Sequence, residues 1–233
     1  VFWQNVQDTF SYQNGAYTRW LFNTIMYAVV AGVGATIIAT FAGYAIATMR
    51  FPGRNALLAV TLAFMSIPST VITVPLFLMY SKIGLVGTPW AVIIPQLATP
   101  FGLYLMIIYA QTSIPVSLIE AAKLDGASTW TIFWKVGFPL LSPGFVTVLL
   151  FTLVGVWNNY FLPLIMLSDT NDYPLTVGLN MWLKMGAQGT ANGQVPNNLI
   201  ITGSLIAVVP LIIAFMFLQK YWQSGLAAGS VKQ

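Results

Sequence analysis

The most informative spacing of chemically active side chains lies between residues 111 and 143. Ser117 and Glu120 have the spacing of a capping box, in which each side chain accepts a hydrogen bond from the other residue's backbone N–H. These residues predict a short helix over 118–125 that ends at Gly126, a residue suited to a left-handed cap. A helix of about two turns is too short to be stable alone in water, so we expect it to dock onto another molecule.

The residues after this helix predict a second one at a sharp corner. Ser128 is a suitable N-cap for a helix over 129–136, which Pro139 is expected to end. Asp125 lies at the negative end of the first helix, where an acid is unfavourable, and this suggests a basic partner outside the chain. Glu120 has two candidate roles, as a cap or as a ligand for a basic group. The alternative for the segment is an amphipathic linker on the membrane surface.

A second group of residues could bind a polar, uncharged solute. Amides and hydroxyls hydrogen-bond to the hydroxyls of a sugar, while aromatic rings stack on its C–H faces. The alternative is that these side chains form hydrogen bonds between helices or an aromatic belt at the membrane surface. The candidate pathway residues are Gln96, Thr99, Trp157, Asn158, Asn159 and Tyr160.

Several kinds of chemistry are excluded by composition. The chain has no Cys and no His, which removes disulfides, thiol nucleophiles, imidazole bases and the usual zinc or haem ligands. It has no Gly-x-x-x-x-Gly-Lys-Ser/Thr sequence to hold ATP phosphates. The five acids lie outside the predicted spans, unlike those of most proton- or sodium-coupled carriers. We therefore expect no catalytic residue, no metal site and no cofactor on this chain.

The elements that position these residues are predicted to be membrane helices. Of the 233 residues, 58% are hydrophobic and 6% are charged, against about a quarter charged in soluble domains, and the mean hydropathy is +0.79. The sequence predicts an all-α integral membrane protein, a single domain over 1–233 with five spans, in which prolines at 68, 75, 95, 100 and 210 can kink the helices. The predicted spans are 21–49, 56–80, 90–110, 144–167 and 199–218.

The basic residues predict the orientation. If the first span runs from outside to inside, six of the nine basic residues are cytoplasmic, as the positive-inside rule requires. Segment 111–143 and the C-terminus are then cytoplasmic, and the N-terminal peptide is external. An external start is hard to insert without an earlier helix, so we expect a further span before Val1, six in all. The cytoplasmic set is Arg50, Arg54, Lys123, Lys135, Lys220 and Lys232; Arg19, Lys82 and Lys184 are external.

The corner segment resembles a known signature. Glu120-Ala121-Ala122, Gly126 and the residues up to Pro139 match E-A-A-x(3)-G-x(9)-I-x-L-P of ABC importer permeases, with Val136 and Phe138 in place of Ile and Leu. The chain is also similar to the carbohydrate branch of this family, which includes the second permease subunit of the maltose transporter. The stretches that carry this similarity are 23–24, 42–45, 157–163, 173–179 and 225–232.

This resemblance implies a non-catalytic permease subunit in the cytoplasmic (inner) membrane of a bacterium or archaeon, importing a sugar or related polyol. The implied partners are a second homologous permease, two cytoplasmic nucleotide-binding subunits that hold ATP and Mg²⁺, an external solute-binding protein and membrane lipid, but no nucleic acid. The alternatives are a permease for glycerol phosphoesters or another solute, or a secondary transporter. The resemblance also implies a coupling helix that docks on an ATPase subunit through Glu120, Ala121, Ala122, Leu124, Asp125 and Gly126.

Overall fold

The computed structural model describes the backbone of residues 1–188 and 195–230 and the side chains of 1–187 and 195–219. The described residues form helices, turns and loops with no strand, which confirms the all-helical prediction. The helices are α1 Phe2–Thr48, α2 Arg54–Met65, α3 Ser69–Lys82, α4 Trp90–Gln96, α5 Pro100–Ser113, α6 Val116–Leu124, α7 Thr129–Ile132, α8 Phe138–Trp157, α9 Phe161–Met166, α10 Leu175–Gln188 and α11 Asn197–Ser230, with a π-helix at Phe133–Gly137 between α7 and α8. Within α1, the backbone of residues 12–15 is not helical, so this stretch consists of two helices that meet at a kink.

Four helical stretches are long and apolar enough to cross a membrane. The pair α2 and α3 makes a fifth if it counts as one span, but the two helices meet at 103°. The predicted number of five spans therefore agrees with the structure when this bent pair is counted once. The break lies at Ser66 to Pro68, where the proline restricts the preceding residue to extended conformations. The four stretches are Phe2–Thr48, Trp90–Ser113, Thr129–Trp157 and Asn197–Gln219.

The predicted helix end at Pro139 is wrong. The helical stretch runs on from Thr129 to Trp157. In the π-helix that precedes Pro139, the backbone N–H of Phe138 donates to the carbonyl of Phe133, five residues back. This wider turn accommodates the proline ring without a break. The predicted fourth span, 144–167, consequently starts too late and also passes the end of α8.

The residues divide by their contacts into two compact units. Unit 1 consists of Val1–Ala31, Ser69–Gln96 and Leu153–Phe215, and unit 2 of Gly32–Pro68, Leu97–Thr152 and Met216–Gln233. Each unit has a buried core of its own. That residues 1–233 form one permease domain stays a prediction.

Aromatic side chains form much of the core of unit 1. Trp20 and Trp182 are buried with ring centroids 4.9 Å apart, and the Tyr17 hydroxyl donates to the Gly203 carbonyl at 2.7 Å. The Trp20 ring lies against Gly178 of α10, where any Cβ atom would collide with it. This close approach fixes α10 against α1.

Small residues allow close helix packing in unit 2. A Cβ atom on Gly43 would collide with Met106 of α5, so α1 and α5 approach closely there. The hydroxyls of Thr36 and Thr152 lie 2.9 Å apart and join α1 to α8. The same core includes Ile119 of α6, which is 7% exposed. Unit 2 therefore supplies the surface on which the predicted docking helix rests.

Candidate functional site

The N-terminus of α6 differs from the prediction. The helix begins at Val116, with Pro115 as its N-cap in an extended conformation, and no side chain caps it. Pro115 sets this start because its ring holds φ at −63°. Ser117 consequently lies inside the first turn, and the predicted capping box with Glu120 is wrong. Capping is therefore no longer a role for the Glu120 carboxylate.

The C-terminus of α6 has the predicted left-handed cap. Gly126 has φ +77°, and its N–H donates to the Lys123 carbonyl at 3.0 Å. The N–H of Ala127 donates to the Ala122 carbonyl at 3.0 Å, which completes a Schellman motif. Both alanines pack against the core of unit 2. The predicted N-cap of the next helix is also confirmed, because the Ser128 hydroxyl accepts a hydrogen bond from the Thr131 N–H at 3.2 Å.

The two sides of α6 have different environments. Ile119 is buried and Ala122 is partly buried, so this side holds the helix on unit 2. Leu124 is 89% exposed, an unusual position for a leucine on so short a helix. The exposed side of α6 therefore offers the apolar side chain of Leu124, the carboxylates of Glu120 and Asp125, and the turn at Gly126. Of the predicted docking residues, Glu120, Ala121, Leu124, Asp125 and Gly126 are exposed, and Ala122 is half-buried.

Three of the predicted pathway residues lie in one polar cluster of unit 1. The Asn159 amide donates to Oε1 of Gln96 at 3.0 Å, and the Tyr160 hydroxyl donates to Oδ1 of Asn180 at 2.9 Å. The Thr176 hydroxyl donates to the Asn159 carbonyl at 2.8 Å. These bonds join the end of α4, the non-helical corner after α8 and the first two turns of α10. All five residues are half-buried, and every group is uncharged.

The other three predicted pathway residues lie elsewhere. Thr99 belongs to unit 2 and caps α5, where its hydroxyl accepts a hydrogen bond from the Gly102 N–H at 3.2 Å. Trp157 is 8% exposed and packs in the aromatic core of unit 1. Asn158 is exposed just after α8, and its amide donates to the Val154 carbonyl in the last turn of that helix.

Thr176 and Asn180 belong to the polar cluster but were missed by the sequence analysis. They are four residues apart and therefore lie on one face of α10, which is a readable signal. The predicted spans end at 167 and resume at 199, so no helix was predicted where α10 lies. Its start is held by α1: the Asn23 amide donates to the Asn171 carbonyl at 2.6 Å, and the Leu175 N–H donates to the Thr24 hydroxyl at 2.8 Å.

Comparison with known proteins matches this chain to transport-system permeases. Residues 32–227 match the family described as "Binding-protein-dependent transport system inner membrane component". The arabinooligosaccharides transport system permease protein AraQ of Halalkalibacterium halodurans is 32% identical over 97% of this chain and 79% of that protein. The osmoprotective compounds uptake permease protein GgtD of Synechocystis sp. is 35% identical, over 90% of this chain and 69% of that protein.

Solved structures have the same fold. A bacterial ABC transporter involved in the import of the acidic polysaccharide alginate matches with a TM-score of 0.76 and 26% identity, over 95% of this chain and 78% of that one. The MetNI methionine ABC transporter, in an inward-facing conformation, matches with a TM-score of 0.65 over 89% of this chain and 94% of that one. At 22% identity, this second likeness concerns the fold alone.

Proposed function

The chain belongs to the binding-protein-dependent transport system inner membrane components, and from this premise we propose that it carries an uncharged sugar and is driven through α6. As a member of this family it is a multi-pass membrane protein and a non-catalytic permease subunit of an ABC importer. Such permeases work with ATPase subunits and a solute-binding protein. The identity of the solute and the way energy reaches this chain are the parts that we propose.

The single observation that supports coupling through α6 is its exposed, rigidly held surface. Ile119 and the Schellman motif at Gly126 hold the helix, while Leu124 is left 89% exposed. Burying a leucine side chain is worth about 1.5–3 kcal/mol, which a partner would gain on docking. The Glu120 and Asp125 carboxylates favour a partner with basic groups around an apolar pocket. We assign this partner as a cytoplasmic ATPase subunit, one of two, which holds ATP and Mg²⁺.

This assignment implies an orientation of the chain in the membrane. The ATPase subunits lie in the cytoplasm, so α6 and the C-terminus lie on that side of the membrane. The positive-inside count favours the same orientation, because Lys123 and Lys135 flank the corner.

The polar cluster supports a neutral solute. Gln96, Asn159, Tyr160 and Asn180 supply amide and hydroxyl groups and no charge. Amide and phenol groups can exchange bonds among themselves for bonds to sugar hydroxyls at little net cost. Several relatives are named for arabinooligosaccharides, trehalose or the melibiose, raffinose and stachyose group. We therefore place an oligosaccharide or disaccharide in a pathway formed with a second, homologous permease, and regard a glycerol phosphoester as the less suitable solute.

Uptake by the whole importer tests this function. The full chain, its partner permease, the ATPase subunits and the binding protein are reconstituted in liposomes with ATP inside. Labelled arabinooligosaccharides, trehalose and a glycerol phosphodiester are then compared, and we expect ATP-dependent uptake of a sugar. Asn159→Leu should reduce uptake several-fold, whereas the control Asn198→Leu changes an exposed amide outside the cluster and should not. Uptake of the phosphodiester alone would refute the proposed solute.

A further inference from the structure

An apolar groove of 320 Å³ lies in unit 2 between α1, α2 and the start of α5. On α1 the groove is lined by Ile38 and by alanines spaced three or four residues apart, whose small side chains leave room that larger ones would fill. Val60 and Phe64 of α2 and Leu103 of α5 form the opposite walls. The alanines are Ala35, Ala39 and Ala42.

The lining of this groove suits hydrocarbon and not a sugar. Its two hydroxyl-bearing residues already use their oxygens within the protein. Thr61 donates to the Leu57 carbonyl at 2.8 Å, and Thr99 accepts a hydrogen bond from the Gly102 N–H. A sugar placed here would lose hydrogen bonds to water without replacement, at a cost of about 1–3 kcal/mol for each group. The groove is therefore separate in its chemistry from the polar cluster of unit 1.

Two arginines lie beyond one end of the groove. Arg50 follows α1 and is exposed, and Arg54 begins α2. One terminal nitrogen of Arg54 donates to the Ala47 carbonyl at 3.4 Å, and its buried Nε has no hydrogen-bond partner among the described residues. Neither arginine forms an ion pair with an acid in this part of the chain, where residues 49–68 contain none. No acid of this stretch therefore balances either guanidinium charge, and Arg50 is exposed to an incoming anion.

The distance from Arg54 to the far end of the groove matches the depth of one leaflet of a bilayer. From Arg54 to Phe64, α2 rises about 15 Å at 1.5 Å per residue. Half of a hydrocarbon core about 30 Å thick is also about 15 Å. An anionic group at the arginines would consequently lie at the membrane surface while an attached chain filled the groove.

We propose that this groove binds one acyl chain of an anionic phospholipid, whose phosphate is held by Arg50 and Arg54. Charge complementarity favours this occupant over a helix of the partner permease, which would fill the apolar space but leave both cations unpaired. A lipid with no net charge would gain the apolar contacts alone. The inference depends on membrane insertion of unit 2 and not on which solute the importer carries.

Native mass spectrometry of the detergent-purified importer complex tests the site with two probes, dioleoylphosphatidylglycerol and dioleoylphosphatidylcholine. Wild type should retain the anionic lipid preferentially. The double variant Arg50→Gln, Arg54→Gln should reduce this retention by about 25-fold, about fivefold for each charge near the membrane surface. It should leave phosphatidylcholine unchanged. The control Arg19→Gln removes an exposed arginine of unit 1 and should have no effect.

A second pair of variants tests the groove without changing any charge. Ala42→Phe fills the groove and should reduce retention of both lipids, whereas Ala63→Phe adds the same ring at an exposed position of α2 outside it. Equal retention of both lipids by wild type would overturn the proposal, as would unchanged retention in the double arginine variant. Disulfide crosslinking of Val60→Cys to a cysteine in the partner permease would also overturn it, because protein would then cover the groove.

Discussion

The sharpest test of coupling is the substitution Gly126→Val at the end of α6. Gly126 has φ +77°, where an L-residue costs about 1–2 kcal/mol, with β-branched residues toward the upper end. No atom lies within 4 Å of the Cβ that a side chain would add. The whole cost therefore comes from the backbone and none from a clash. We expect the population of the correctly capped corner to fall about 5- to 30-fold.

The assay is solute-stimulated ATP hydrolysis by the reconstituted importer, with subunit stoichiometry checked by gel. Gly126→Val should lower the stimulated rate several-fold while the subunit still inserts. Gly126→Asn should restore most of it, because asparagine tolerates the left-handed conformation. The matched control is Gly84→Val, at φ +69° with the same open surroundings but after α3 in unit 1.

Three outcomes would refute this reasoning. Wild-type stimulation in Gly126→Val would mean that the corner does not transmit ATP energy. Equal losses in Gly126→Val and Gly84→Val would point to a general loss of stability. Equal losses in the Val and Asn variants of Gly126 would show that the left-handed backbone is not the cause.

Other substitutions test the remaining features. Glu120→Gln removes a charge from an exposed side chain that caps nothing, so a several-fold loss of stimulated ATPase activity would come from the partner; wild-type activity would exclude Glu120 from docking. Lys123→Cys should resist an impermeant external thiol reagent in intact cells, while Lys184→Cys should react; the reverse pattern would invert the proposed orientation. Gly178→Ala should collide with the tryptophan ring of α1 and destabilise the protein by about 1–3 kcal/mol in thermal unfolding in detergent, unlike Gly155→Ala, whose added Cβ meets no atom within 4 Å; equal stability of the two variants would contradict the packing described.

Within the corner segment, the predictions that held depend on a residue's own conformational preference. Glycine adopts φ +77° without strain, and a serine hydroxyl reaches an N–H three residues ahead, so Gly126 and Ser128 act as predicted. The predictions for Ser117 and Pro139 failed because a neighbouring feature took precedence. Pro115 moved the start of α6, and a π-helical turn let the chain pass Pro139 without a break.

Composition predicted a membrane protein, and the continuous apolar runs of about 20 residues predicted that its spans are helices, which satisfy their own backbone hydrogen bonds in lipid. Pro68 was one of the predicted kink positions and lies at the break between α2 and α3, but the sequence did not predict the 103° angle of that bend or the place where each span ends. A run of apolar residues has the same hydropathy whether it is straight or bent. Its direction depends on what it packs against.

The polar cluster and the groove were decided by tertiary structure alone. Asn159 and Gln96 are 63 residues apart, and nothing local to either one indicates that they meet. Trp157 shares the sequence neighbourhood of Asn159 but lies in the core, because the chain changes direction just after it. Helix caps could be predicted from the sequence because a cap depends on residues within one turn. The membrane class could be predicted because it depends on the average composition of the whole chain. Which polar groups converge depends on long-range packing, which no short stretch of sequence encodes.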